Sequence, residues 1–575
     1  MFASRRHLVD CARKQQELVH KRSTLPPIYS EPLTDDDQKI LGLSLSQVAS
    51  ECNAHTIAPK AVLHVYGKRA LMAHDATNCL SDFMIRDAER DVPLQRPLSG
   101  VVISIKDCID VAGYDTTLGF SARTGRPAET SAPLVRLLQD AGALLHVKTA
   151  VPTGLLSFET QSDVFGETLN PYNPAFSPGA STGGGAALVA YQGSIIEVGT
   201  DIGGSARFPA AYCGVYSVKS SVGRFPAHGC VQCMPGLEAS PTVTSPLART
   251  LDDLLEFWKR VVEMQPWLYD HTYGFPPPAS HDVQCIPLPW RPVDFVLSGR
   301  KPRWGVIWSD DIVPPSPACL RALREAVDSL RRAGHEVVDF TPPPTLDGLK
   351  AGFQLLFGDG GIALHAPRRP GETMNGAQRS VQLMLSLPLW AKKFLASMYR
   401  LLSRPEGRNE AWATLLETIH PMTIAEEHVQ TVAREAFKEA WHKAWRDQGI
   451  DFVLTVPHAI PPVPRGGTGT ATLVSASYCF LFNILDYCAG IVPVTYVDEA
   501  LDRLPADFKQ GREYQNMNDI ARGVYSLYDP SGMHGLPLAV QVVGQRLEEE
   551  KVLAGMAEVE RALWDAGHGF IAKEF

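Results

Sequence analysis

Two serines and a lysine stand out in this chain as residues whose types and settings could do chemistry together. Ser181 heads the glycine run Gly183 to Gly185, which leads into the helix-like segment AALVAYQ. Its hydroxyl is therefore expected where free helix N–H groups converge. Ser205 closes a second glycine turn, Asp201-Ile202-Gly203-Gly204-Ser205, which follows the mostly apolar segment Ile195 to Val198. Adjacent glycines let successive N–H groups point the same way, an array suited to an oxyanion. Upstream, Gly100-Val-Val-Ile-Ser-Ile-Lys106 reads as a fully buried strand ending in a lysine. Burial favours the neutral amine, which can accept a proton from a serine. One glycine-serine turn is usually only a turn, and a lone strand-end lysine is usually solvated. Two such turns flanking an apolar strand, with a buried base before them, point to nucleophilic catalysis.

These residues need a sheet to hold them. From Pro97 to Val243 apolar strands alternate with helices: Ser131 to Asp140 reads as a capped helix ended by Gly142, Ala143 to Val147 as a strand, and Val151-Pro152 as a break. The pattern resumes with Arg303 to Trp308 as a strand, Pro317 to Ala333 as a helix stopped by Gly334, and Glu336 to Phe340 as a strand. Phe452 to Val456 and Leu538 to Val543 add two more. This is α/β organisation around a parallel or mixed sheet.

With these residues in hand, the sequence resembles the amidase signature family, whose hydrolases use a serine nucleophile, a second serine in a cis peptide and a lysine. The spacing of Lys106, Ser181 and Ser205 is similar to that of the family's fatty acid amide hydrolase branch. The resemblance implies Ser205 as nucleophile, Ser181 as proton bridge and Lys106 as base. It implies an oxyanion hole from the N–H groups of Ile202, Gly203, Gly204 and Ser205, and a loop braced by Asp201 and Arg207. Two positions depart from the pattern: Thr182 stands where the family usually has a serine, and Gly185 where it often has glutamate. Leu155 and Leu156 in VPTGLLSFET match positions lining the substrate site of the fatty-amide branch, which FNILD at Phe482–Asp486 and AGIVPVT at Ala489–Thr495 also resemble. The implied fold is an α/β/α sandwich around a large mixed sheet. Residues 1–80 are expected as a helical region packing on the core, and residues 81–575 as a single domain. No metal or cofactor is implied, and a homodimer is left open.

Composition narrows the classes. The 575 residues are 45% hydrophobic and 20% charged, as in a soluble globular protein with a large core. A net charge of −9 and a pI near 6.0 argue against a general nucleic-acid binder. Eleven scattered cysteines and no leading apolar segment with a cleavage site lead us to expect a reducing, cytoplasmic setting. Cys230 and Cys233 form a lone CxxC, without the further ligands of a zinc site. Met1 to Arg22 is basic and helix-permissive, with a partial stripe of Leu8, Cys11, Leu18 and Val19. Nowhere do about 20 uninterrupted apolar residues occur.

Leu349 to Gly407 differs from the rest as a helical insertion. Between Thr373 and Pro405 there is no acidic residue, while Arg379, Lys392, Lys393, Arg400 and Arg404 are basic. Helical spacing past Pro388 puts Leu387, Trp390, Phe394, Met398 and Leu401 on one side and Lys392, Lys393, Arg400 and Arg404 on the other. Such a stripe is either core or a surface that lies on anionic lipid. In position and character the segment resembles the membrane-binding helix pair of the fatty-amide branch, which would place the protein peripherally on an intracellular membrane.

Three competing readings frame the conclusion. Gly179-Ala-Ser181-Thr-Gly183 fits a GxSxG nucleophile elbow, with His228, His458 or His534 as partner, but Asn173 to Pro178 carries two prolines where an elbow needs a buried strand. A non-catalytic lipid carrier of the same fold would not need all three reactive positions. The glutamine-hydrolysing subunit of a tRNA amidotransferase would not need the greasy basic segment. The expected function is amide hydrolysis through an acyl-enzyme, on fatty acid amides or N-acylethanolamines, with short aliphatic amides as the alternative.

Overall fold

The computed structural model describes residues 2–90, 94–272, 285–295, 299–402 and 409–575. Met1 and Arg404 therefore lie outside the described residues.

Most strands form where β-branched and apolar residues predominate. The strands are β1 (Leu80–Phe83), β2 (Val102–Lys106), β3 (Leu144–Thr149), β4 (Gln161–Ser162), β5 (Gly166–Glu167), β6 (Ile196–Asp201), β7 (Tyr216–Lys219), β8 (Val243–Ala248), β9 (Arg303–Val306), β10 (Glu336–Asp339), β11 (Phe452–Thr455), β12 (Ala489–Tyr496) and β13 (Pro537–Val543). Of these, β4, β5 and β6 carry several polar residues. β4 and β5 pair only with each other. The other eleven form one sheet in the order β1-β3-β2-β6-β8-β7-β12-β13-β11-β9-β10. It is mixed, as expected: β2 runs parallel to β3 and β6, and β9 parallel to β10 and β11, while the remaining neighbours are antiparallel. The parallel neighbours are joined by helices, Pro133–Asp140 between β2 and β3 and Pro317–Arg332 between β9 and β10. Both faces of β2 and β3 are buried; β2 is accordingly apolar but for Ser104 and the terminal Lys106, while β3 buries His146, Lys148 and Thr149 as well.

Helix starts show where local signals succeed and fail. The helix expected from Pro317 begins there, with Pro317 in its first turn, and Ser316 caps it by accepting the N–H of Cys319. The expected helix start at Ser131 moves to Pro133, because the Ser131 hydroxyl instead accepts the N–H of Ala112 at 3.0 Å. At the chain's beginning, Phe2–Ser23 is a helix, held by half of its apolar stripe, Cys11 and Leu18, and by buried charge. Leu8 and Val19 are exposed, whereas Lys14 is buried, 2.7 Å from Asp82 and 3.1 Å from Asp115. The main core spans both halves of the chain and includes Leu45, Val48, Leu63, Ile103, Trp304 and Val540.

The insertion is helical: Thr345–Leu356, Gly376–Ser386 and Leu389–Leu402. Trp390, Phe394, Met398 and Leu401 are exposed, so this stripe is not core. Leu387 is half-buried. The basic face differs from expectation. Lys392 is buried and donates to the Ile419 carbonyl at 2.7 Å, and Arg400 is bonded to Glu410 and Glu417. The acids absent from the segment itself arrive from the helix that follows. Among the described residues no helix is long and apolar enough to cross a membrane.

Candidate active site

Three chain segments meet at the end of β2. Lys106 is its last residue and is wholly buried; its Nζ lies 2.8 Å from Ser181 Oγ, 2.9 Å from Thr200 Oγ1 and 3.2 Å from the Thr200 carbonyl. Burial pushes its pKa below the usual lysine range, against a smaller opposite pull from Cys108, Asp201 and Glu197. A neutral amine has two N–H donors and one lone pair. It can give its hydrogens to the two Thr200 oxygens and keep the lone pair for the Ser181 hydroxyl.

Ser181 follows a cis peptide from Ala180 and is buried. Its hydroxyl was expected to face the start of the helix Gly183–Ala190, but it faces Lys106 instead, and Thr182 is the residue at the helix cap, making no side-chain cap bond. The helix can sit so low because Gly184 has no side chain: a Cβ there would come within 2.6 Å of the backbone of Ala150 and Cys79. Thr182 keeps a hydroxyl 3.4 Å from the Thr200 carbonyl, and its N–H donates to the Ser205 carbonyl at 3.0 Å, which ties the two serine turns together.

The second turn hangs on Asp201, the last residue of β6. Its buried carboxylate accepts from the N–H groups of Gly204 at 2.8 Å and Ala206 at 3.2 Å, from Asn483 at 3.0 Å and from the Arg207 guanidinium at 3.0 Å. Burial would raise its pKa, but the Arg207 charge and these hydrogen bonds outweigh it and hold the carboxyl far below its ordinary value. Arg207 reaches on to the Cys479 carbonyl and Gln541, so strands and helices distant in sequence converge on this one turn. The expected oxyanion array is changed at one position. The N–H of Gly204 is engaged by Asp201, which leaves those of Ile202, Gly203 and Ser205 without a partner among the described residues.

Ser205 is half-buried and borders a small apolar cavity with Leu155, Ile202, Phe208, Phe353, Leu473 and Phe480. The cavity's free space is about 40 Å³. By the same measure one water needs roughly 10–15 Å³, so it holds a few heavy atoms. Leu155, expected at this position, is held in the left-handed region at φ 58°, just after Gly154 at φ 67°. Residues 153–156 are tied to the insertion: Gln378 donates to the Thr153 carbonyl at 2.6 Å and Asn375 to the Leu156 carbonyl at 2.9 Å.

Sequence reasoning missed Thr200, although it lies beside Asp201 in the same stretch. It also missed Phe353, Leu473 and Phe480, which no local pattern marks. Two histidines of the elbow reading have other partners: His458 is buried against Tyr212 and Ser475, and His534 accepts from the N–H of Glu499. Cys230 and Cys233 are free thiols, and among the described residues no His, Cys, Asp and Glu cluster is arranged for a metal.

Residues 61–553 match the family profile described as Amidase. The chain belongs to the amidase signature family. It is 33% identical to fatty-acid amide hydrolase 1 of Sus scrofa over 92% of this chain and 87% of that one. It is 30% identical to an acetamidase of Emericella nidulans over 93% and 92% of the two chains. Among solved structures, a fatty acid amide hydrolase superposes with a TM-score of 0.80 at 24% identity, covering 96% of this chain and 95% of that one. A 6-aminohexanoate cyclic dimer hydrolase superposes with a TM-score of 0.66 at 19% identity, covering 93% and 98%. This amidase is an amide hydrolase built on the amidase signature fold.

Proposed function

We propose that the enzyme hydrolyses its amide through an acyl-enzyme on Ser205, with Ser181 as proton bridge and Lys106 as base. The observation that carries this reading is the contact of 2.8 Å between Lys106 Nζ and Ser181 Oγ in a setting where the lysine is fully buried. Ser205 attacks the carbonyl carbon and its proton passes by way of Ser181 to the amine of Lys106. The carbonyl oxygen takes the negative charge and is met by the free N–H groups of Ile202, Gly203 and Ser205. The relay then returns the proton to the amine leaving group, the C–N bond breaks, and water repeats the cycle on the ester.

For the substrate we propose fatty acid amides or N-acylethanolamines. The support is the apolar wall of the cavity, the exposed stripe Trp390, Phe394, Met398 and Leu401 tied through the Gly376–Ser386 helix to the cavity loop, and the similarity to a fatty-acid amide hydrolase. In this reading the stripe rests on a lipid surface and delivers the acyl chain to the cavity. A second reading, short aliphatic amides, is favoured by the cavity volume and by the similarity to acetamidases. A hydrolysis series from acetamide through hexanamide to oleamide and oleoylethanolamide separates the two. The first reading expects kcat/KM to rise with chain length and to vanish in Ser205→Ala. A maximum at acetamide or propionamide would replace it with the second.

A further inference from the structure

One carboxyl near Lys106 has no part in the steps above. Glu197 lies on β6, wholly buried and in register with Ser104 of β2. Side chains alternate across a strand, so Ser104 shares a face of β2 with Lys106, and Thr149, aligned with Lys106 on β3, joins them. The Thr149 hydroxyl donates to Glu197 Oε1 at 2.6 Å and the Ser104 hydroxyl to Oε2. From above, the helix that follows Ser181 presents Gly185, where an added Cβ would collide with the Glu197 carboxyl. The carboxyl thus fills the hollow left by the missing side chain, between the sheet and the turn that carries Ser181.

The groups facing this pair are few. Lys106 is faced by Cys108, Asp201, Glu197 and Cys233. Burial pushes Cys233 up to about 12 and raises Cys108 as well, so both thiols stay uncharged near neutrality. The charge of Asp201 is already answered by Arg207. Glu197 is faced by Ser104 and Thr149 from the strands and by the charge of Lys106, with the neutral thiol of Cys79 nearby. Burial pushes the Glu197 carboxyl up to about 7, while the two hydroxyls and Lys106 pull it down. Glu197 is therefore the one carboxyl facing Lys106 that lacks another cation, among the described residues.

We infer that Glu197 is a positioning residue for amide hydrolysis, its carboxyl, held under the Ser181 turn, setting how readily Lys106 takes up the serine proton. This rests on the proposed role of Lys106 as base. When the proton of Ser205 reaches Lys106 the amine becomes an ammonium, and an ionised Glu197 in the layer below stabilises it. The two groups titrate as a pair, so the carboxyl fixes where the acid limb of reactivity falls.

The test is the pH dependence of the rate at which a fluorophosphonate labels the full chain. Glu197→Gln keeps the shape and removes the charge. The ammonium then loses one of the two carboxylate charges that face it, so the acid limb moves to lower pH and the plateau rate falls. Thr149→Val leaves Glu197 in place but deletes one donor to its ionised form, and should move the limb the same way by less. The double variant Gly185→Glu/Glu197→Gly brings a carboxyl into the same hollow from the helix side and should return the limb towards the wild-type position. A uniform loss of rate with an unmoved limb in Glu197→Gln, or in Thr149→Val if the first variant does not fold, would overturn the inference. Lys106→Ala separates the two levels of the argument. If the limb survives there, the base assignment falls and this inference with it. If the limb disappears there but does not move in Glu197→Gln, only this inference falls.

Discussion

The reaction centre and the helices from Gly376 to Leu402 handle polar and apolar groups in opposite ways. At the centre, polar groups are buried and answered: Asp201 by Arg207 and two backbone N–H groups, Lys106 by Thr200 and Ser181. In the helix pair Lys392 is answered by a carbonyl and Arg400 by two glutamates, while Lys393 and large apolar side chains are exposed. Exposed apolar surface of this kind is what the proposed contact with lipid rests on. The contrast teaches that the two regions can be perturbed separately: one is sensitive to a single lost charge, the other tolerates polar substitution.

The largest effect is expected at the proposed base. Lys106→Ala should lower amide hydrolysis by roughly 10²–10⁴-fold, and by less on an ester of the same acyl chain, because an amine leaves only when protonated. Comparable losses on both substrates would speak against proton delivery by this lysine. Activity should also fall in acid. The Lys106 pKa is lowered by burial, so the neutral amine persists well below the ordinary lysine range and is lost as the pH drops through the shifted value.

Next comes the second turn. Asp201→Asn leaves the Arg207 guanidinium buried without its counter-charge, and breaking such a pair costs about 3–5 kcal/mol. Urea unfolding should show the loss, together with a fall in labelling of Ser205. Because the Asp201 pKa is depressed, its stabilisation is fully present above the unfolded carboxyl range near ~4 and is lost only as the pH falls towards its folded value. Acid unfolding that tracks this pair at pH 5 or 6 would contradict the geometry.

The helix pair should answer differently. Replacing Trp390, Phe394 and Met398 by serine should leave the melting temperature and short-amide hydrolysis nearly unchanged, since exposed substitutions usually stay within about 0.5 kcal/mol each. Binding to anionic vesicles should fall by at least ~10-fold, because each buried apolar anchor is worth roughly 1.5–3 kcal/mol. A lowered melting temperature with equal losses on short and long amides would mean that the stripe is packed against protein.

The smallest effect distinguishes two adjacent lysines. Lys393 is exposed, and Lys393→Gln should weaken vesicle binding by about 1 kcal/mol at low salt. Lys392 is buried, and Lys392→Gln should spare binding while destabilising the fold by about 1–3 kcal/mol through the orphaned Ile419 carbonyl. Reversed outcomes would reassign which lysine belongs to the proposed lipid-facing surface.

Much of the fold was legible because its signals are local: largely apolar runs at β2 and β11, and a helix from Pro317 stopped by Gly334. The two serine turns and the strand-end lysine were legible for the same reason. What the sequence hid depends on tertiary approach. Ser131 reads as a cap until Ala112 claims its hydroxyl, and Gly204 reads as an oxyanion donor until Asp201 claims its N–H. The acid-free stretch reads as a basic face until Glu410 and Glu417 fold back on Arg400. The cavity wall draws Phe353, Leu473 and Phe480 from separate helices, and Glu197 explains Gly185 only once strand and helix are stacked.

The central claim is that Ser205, not Ser181, carries the acyl group. Its most direct test is brief treatment of the full chain with a fluorophosphonate, followed by proteolysis and mass spectrometry of the modified peptide. The account predicts a single adduct on Ser205, absent in Ser205→Ala and slowed but still on Ser205 in Ser181→Ala. An adduct on Ser181 in the wild type, retained in Ser205→Ala, would contradict it.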